Sequence, residues 1–223
     1  MNSLIFECPH DLEVSLGLRE RKKQELEEKI RAASREVFLE SGYTQATVEQ
    51  IAEKAGIGVG SLYNYFPSKA DIFIAIMSRE LRLDQDDEHQ LECDLEQEVA
   101  ASVLDLLVPL FRTTKLLGRR VWRELMAAAF STAKASTFLA KGMMKLDYRL
   151  IERIEAFLAR EKARGKFAEG FDPHQAAMAV YSCAMAQFMI YVYQEEVDFE
   201  SFSEAVRAQV RFLFEGKTSS LQP

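Results

Sequence analysis

The sequence predicts an all-α protein: an N-terminal helix-turn-helix three-helix bundle followed by a larger helical domain. Three observations carry this. Glycine and proline are sparse, 10 and 5 in 223 residues. No sustained run alternates apolar and polar residues between turn pairs. Helical spacing recurs instead, at Leu26, Ile30, Ala33 and Val37, at Leu95, Val99, Val103 and Leu106, at Leu146, Leu150, Ile154 and Phe157, and at Phe202, Val206, Val210 and Leu213. Each set lays an apolar stripe along one helix face.

Residues 1–18 read as an irregular arm, with no basic stretch leading into an apolar one and so no signal peptide. A first helix is expected from about Arg21 to Glu40, ending at Ser41-Gly42. Thr47 starts the next, because Gln50 three residues on completes a capping box. That helix ends near Gly56. A short one spans about Val59 to Tyr65 and is broken by Pro67-Ser68, and Ser68 with Asp71 opens a longer helix with Ile72, Phe73, Ile76 and Met77 inward.

The net charge of −7 is concentrated in one place. Residues 80–105 hold ten acids against one base, Arg82, a local charge of −9, and the rest of the chain sums to +2. A carboxylate metal site is not expected there, since a hard cation needs converging oxygens. The stretch instead marks a connection, giving domains at 19–68, 69–92 (connecting helix and acidic linker) and 93–216, with a tail at 217–223. The last domain is expected to hold helices at about 93–112, 117–130, 135–164, 174–195 and 199–215. Segment 176–193 is apolar all round and borders on membrane-span length, but its alanines, Ser182 and Gln187 favour a helix buried on every face, partly by a second subunit. No membrane partner is expected. Cys8, Cys93 and Cys183 form neither a disulfide framework nor a metal motif and suit a reducing cytoplasm.

The stretch from Thr44 to Lys69 contains two short helices joined by a tight turn, Ala55-Gly56-Ile57-Gly58, the layout of a DNA-reading unit. Ile51, Ala52, Ala55, Leu62 and Phe66 lock the two helices together. The outward residues of the second helix are Val59, Gly60, Ser61, Tyr63, Asn64 and Tyr65. Asn64 can pair with a base edge and Val59 can touch a thymine methyl. Ser61, Tyr63 and Tyr65 can donate to phosphates, as can Lys69, Thr44 and Thr47. No arginine lies in 44–69, so each subunit binds modestly and two copies are needed.

The run TVEQIAEKAGIGVGSLYNYFPSKADIF resembles the DNA-binding signature of the tetracycline-repressor (TetR) family of bacterial transcriptional regulators. Thr47, Ile51-Ala52, Ala55-Gly56-Ile57, Gly60-Ser61-Leu62-Tyr63, Tyr65-Phe66 and Ser68-Lys69 carry the likeness, with Phe38 and Gly42-Tyr43 before them. It covers about residues 19–77. The resemblance implies a homodimer on a palindromic double-stranded DNA operator, released when a small molecule enters the C-terminal domain. It places Val59, Gly60 and Tyr63 against bases and Val48, Ser61, Tyr65 and Lys69 against the backbone. Gly58 stands where the family often has a capping Ser, and Glu25, Glu27 and Glu28 offset the bases of the first helix.

In the second domain Trp122, Met126, Tyr148, Tyr181, Met185 and Phe188 are the candidate lining of a largely apolar effector pocket, although such residues also make ordinary core. Arg119, Arg120 and Arg123 surround Trp122 and offer either an anion site or a solvated basic face. Helices 174–195 and 199–215 are the expected dimer surface. His10, His89 and His174 have no ligand spacing, and no phosphate loop or nucleophile motif occurs. No cofactor, metal or enzymatic activity is therefore expected. The alternative is a helical small-molecule-binding or enzymatic protein with a vestigial helix-turn-helix.

Overall fold

The computed structural model describes residues 9–81, 98–131 and 134–217, with side chains from 17 in the first segment and from 137 in the last. The acidic linker falls almost wholly outside these residues. Eight helices occupy the described chain: α1 Pro9–Gln45, α2 Val48–Ala55, α3 Val59–Tyr63, α4 Lys69–Glu80, α5 Val99–Ala129, α6 Lys134–Ala163, α7 Pro173–Tyr193 and α8 Phe199–Phe214. There is no β-strand among them.

The expected irregular arm is corrected over residues 9–18, where the backbone is already helical. Pro9 sits at the first helical position, which tolerates its missing N–H, and no further proline occurs until Pro67. Ion pairs one turn apart follow α1, Arg21–Glu25 on its exposed side and the half-buried Arg31–Glu27. The helix breaks at Gly42, whose φ of 81° favours glycine, and a last turn continues to Gln45.

Helix α5 runs through the boundary expected near 113–116. Thr113 and Thr114 hydroxyls bond back to the carbonyls of Pro109 and Leu110, at 2.7 and 2.9 Å, which anchors the backbone after the proline. The actual break is Gly118, with φ 70°. Its second half, Arg119 to Ala129, projects toward the N-terminal head.

Helices α1 to α4 form the head, and α5 to α8 form the body. The buried residues make one continuous core through both. Rings mark its path. Phe38 packs on Tyr43 at 5.4 Å, Tyr43 on Phe73 at 6.0 Å, Phe73 on Trp122 at 6.1 Å, and Trp122 on Phe188 at 5.0 Å between centroids. The last three contacts are edge to face, the favoured geometry.

Helix α7 is the element expected to pack on its own domain and on a second subunit. Within one chain it buries a single face, through Ala177, Val180, Ala184, Phe188, Tyr191 and Val192. Ser182, Ala186, Ile190 and Tyr193 on the opposite side are exposed. The helix is long and apolar enough to cross a membrane by length and composition, yet it is packed into the body between α6 and α8.

Candidate DNA-binding head and its junction with the body

Helix α2 begins as the capping box requires. Thr47 Oγ1 accepts the Gln50 N–H at 3.2 Å, and the Thr47 N–H donates to Gln50 Oε1 at 2.9 Å. Gly56 ends it in the left-handed region, φ 69°, where its N–H meets the carbonyls of Ala52 and Glu53. Gly58 then caps α3 without a side-chain bond. Ile51, Ala52, Leu62 and Phe66 are buried and lock α2 to α3, as their spacing predicts. Helix α3 is shorter than expected, ending at Tyr63 with Asn64 as its C-cap. Ser68 caps α4 by accepting the Asp71 N–H.

Six of the ten candidate DNA contacts lie on the open surface: Thr44, Thr47, Gly60, Ser61, Tyr63 and Asn64. A Cβ built on Gly60 meets nothing within 4 Å. Val59 and Tyr65 are half-buried against the core. Val48 is buried, because the first turn of α2 points it inward, and it is withdrawn as a backbone contact.

Lys69 is corrected most strongly. Its Nζ donates to the carbonyls of Tyr43, Thr44 and Ala46 at 2.6, 3.2 and 2.8 Å, and it sits 4.6 Å from the centre of the Tyr43 ring. An ammonium has three hydrogens, so all are taken. Burial pulls its pKa down, partly opposed by Glu124. Lys69 therefore fastens the end of α1 to α4 and is not a free phosphate ligand. The other lysine of the stretch, Lys54, pairs with Glu40 and Glu36.

Glu124, on α5, grips the same turn from the other side. It accepts the Thr44 N–H at 2.8 Å and the Arg120 Nε–H at 3.1 Å, while Arg120 also donates to the Ser41 carbonyl at 2.9 Å. Partial burial pushes the Glu124 carboxyl up, but Thr44 and Arg120 together outweigh it and leave the pKa lowered. The carboxylate lies so near Gly42 that an added Cβ would stand 2.4 Å from Oε1. Gly42 thus meets two demands at once, a positive φ and a close approach. Nothing in the sequence signals that Glu124 belongs to the head. Only the fold brings it there.

The neighbouring arginines are neither an anion site nor a solvated face. Arg123 donates to the Val192 carbonyl at 2.6 Å and pairs with Glu195. Arg119 donates to the Glu195 and Val197 carbonyls and stacks 4.4 Å over Tyr191. They tie α5 to the α7–α8 turn.

The candidate effector residues separate. Trp122, Met126 and Phe188 are buried, with Trp122 and Phe188 in contact. Met185 is partly buried against the same core. Tyr181 faces Asp147 across the α6–α7 seam. Burial pushes that carboxyl up to about 6, with the Tyr181 hydroxyl holding it back in part. Tyr148 is 57% exposed on the outer side of α6 and is withdrawn as a lining residue.

A short two-helix reader, capped at both starts and carried on a larger helical body, defines a protein of the helix-turn-helix type. Residues 30–76 match the family described as "Bacterial regulatory proteins, tetR family". The HTH-type transcriptional repressor KstR of Mycolicibacterium smegmatis is 37% identical over 62 residues, 28% of each chain. The fatty acid metabolism regulator protein of Bacillus subtilis is 41% identical over 49 residues, 22% of this chain and 25% of its own. The chain thus matches only about a quarter of the length of these relatives. The fold extends further. A TetR-family regulator from Mesorhizobium loti superposes with a TM-score of 0.66 at 17% identity, covering 88% of this chain and 98% of its own. SmeT of Stenotrophomonas maltophilia does so with a TM-score of 0.64 at 18% identity, covering 87% and 91%.

Proposed function

We propose that this protein is a dimeric transcriptional regulator that binds a palindromic operator and is released from it when a small molecule enters the body. The observation that carries the reading is the open face of α3. Gly60, Ser61, Tyr63 and Asn64 stand clear of the core on a helix that the buried Leu62 holds in place. Polar groups on such a helix can meet base edges and phosphates.

One head offers little electrostatic grip, because Lys54 and Lys69 are both engaged. Two heads at a fixed distance supply what one lacks. The surface suited to pairing them is the exposed side of α7 and α8, which carries Ser182, Ala186, Ile190 and Tyr193 on one helix and Phe212, at 74% exposure, on the other. Small residues with large apolar neighbours favour a four-helix packing of two copies.

The junction at Ser41–Ala46 supports the ligand response. The turn carrying Thr44 is held by α4 through Lys69 and by α5 through Glu124, so a shift in the body moves the head. DNA and effector then favour different arrangements, and each weakens the other's binding reciprocally. A structural neighbour, SmeT, is described as the repressor of a multidrug efflux pump and as a complex with triclosan, which supports a small-molecule effector for this chain. The working compartment on this reading is the bacterial cytoplasm.

A second reading, a helical ligand-binding or enzymatic protein that does not bind DNA, draws on the engaged lysines. A gel shift with the DNA upstream of the gene, across a salt series, separates the two. A sequence-specific, salt-sensitive shift supports the regulator, and no shift at any near-physiological salt ends that reading.

A further inference from the structure

Trp122 is 3% exposed, and its indole N–H has no hydrogen-bond partner among the described residues. Leaving a buried donor unmade forfeits its hydration with nothing in return, and native proteins rarely do so without a reason. Two other buried side-chain atoms share this state, Glu161 Oε2 and Gln209 Oε1. The first lies 2.8 Å from Lys166 Nζ, which compensates its charge. The second belongs to α8, away from the Trp122 rings. Trp122 has no such compensation, since the rings of Phe73 and Phe188 beside it are weak acceptors at best.

The surroundings define what an acceptor there must be. Met126 lies one helical turn beyond Trp122, Met77 one turn beyond Phe73, and Met185 just before Phe188, and all three belong to or pack on the core. Thioethers of this kind yield to an incoming group. The two arginines flanking Trp122, Arg119 and Arg123, are held by Glu195 and by main-chain carbonyls and are not free to meet an anion. A charged ligand group would be buried uncompensated, at a much higher cost than a neutral one.

Resting on the effector reading above, we infer that Trp122 is the polar anchor of the effector site. The ligand class is a neutral, largely apolar molecule whose ketone, ester or ether oxygen accepts the Trp122 Nε1–H. Entry displaces Phe73 or Phe188 from the indole. Phe73 also touches Tyr43, next to Thr44, so occupancy is felt at the turn that carries the reader.

Trp122 is the only tryptophan in the chain, so a 15N–1H spectrum of the full-length protein contains one indole N–H peak. Acetophenone and ethylbenzene serve as probes of similar shape that differ in the carbonyl. Acetophenone is expected to move the indole peak downfield, as hydrogen bonding does, and ethylbenzene is not. In calorimetry, the ratio of acetophenone to ethylbenzene affinity should fall about tenfold on Trp122→Phe, the size of one hydrogen bond. An indole peak unmoved by millimolar acetophenone overturns the proposal, as does an affinity ratio unchanged in a folded Trp122→Phe. Should the variant not fold, the wild-type spectrum decides alone. The operator gel shift is independent of both. A shift with an unmoved peak removes the anchor and keeps the regulator, and a moved peak without a shift does the reverse.

Discussion

The main-chain N–H of Thr44 donates to the Glu124 carboxylate at 2.8 Å, joining positions eighty residues apart. Through this bond the body holds the last turn of α1, which leads into the reader. Lys69 holds the same turn from α4, so the segment between Ser41 and Ala46 is fixed on two sides. The two contacts have different consequences when removed.

Glu124→Ala should destabilise the protein by about 1–2 kcal/mol, the loss of a charge-assisted bond with its partner left unpaired. The pH dependence follows from the lowered carboxyl pKa. A group whose pKa is depressed in the folded state contributes stability above its unfolded value and loses it as the pH falls through the folded one. The Glu124 contribution is therefore complete at neutral pH, begins to fall below about 4.5 and is lost as the pH passes through the lower folded-state pKa. Urea titrations at pH 7 and pH 3.5 should show a smaller gap between wild type and variant at the lower pH. A gap of unchanged size would show that the bond does not stabilise the fold.

Lys69→Met should cost about 2–3 kcal/mol of stability, because three carbonyls lose a charged donor. Its effect on the salt dependence of DNA binding is expected to be nil. A phosphate-binding lysine would instead reduce the slope of log affinity against log salt by about one. Measuring both in a single variant distinguishes a structural clamp from a DNA contact. A reduced slope would restore Lys69 to the interface.

Gly60→Ala separates folding from function. The added methyl enters open space, and alanine is a better helix former than glycine by about 0.5–1 kcal/mol. Thermal stability should therefore rise slightly. Operator affinity should fall by about tenfold or more, ~1.4 kcal/mol, if DNA approaches the α3 backbone closely. A stable variant with full affinity would remove Gly60 from the contact surface.

Phe212→Glu tests the pairing surface. The ring is exposed within one chain, so the fold of each subunit should be unaffected. A charge there faces its own copy across a symmetric interface. Sedimentation should show monomers, and operator affinity should collapse with the loss of the second head. A variant that remains dimeric would place the interface elsewhere.

Much of the head is legible in the chain itself. Thr47 and Gln50, Gly56, and Ser68 with Asp71 mark helix ends, because capping is local chemistry between residues three or four apart. The inward set Ile51, Ala52, Leu62 and Phe66 follows from helical period alone. Val48 was misplaced because one turn of α2 is too short for periodicity to settle which side it faces. Tyr148 failed for a different reason. An aromatic side chain on an amphipathic helix can lie at either edge of the stripe, and only the packing of α6 against its neighbours puts this one outside.

The sequence by itself determined the helical class, the two capped helices of the reader and the absence of any arginine among their residues. These depend on composition and on contacts within a few positions of the chain. The tertiary structure decided what Lys69 does. Its spacing and charge suit a phosphate equally well, and only the return of the α1 terminus to α4 sets three carbonyls around its ammonium. The structure likewise decided that Glu124, Arg120 and Gly42 form one junction. A bond across eighty residues leaves no trace in local pattern, because chain folding, and not sequence spacing, fixes which groups desolvate together.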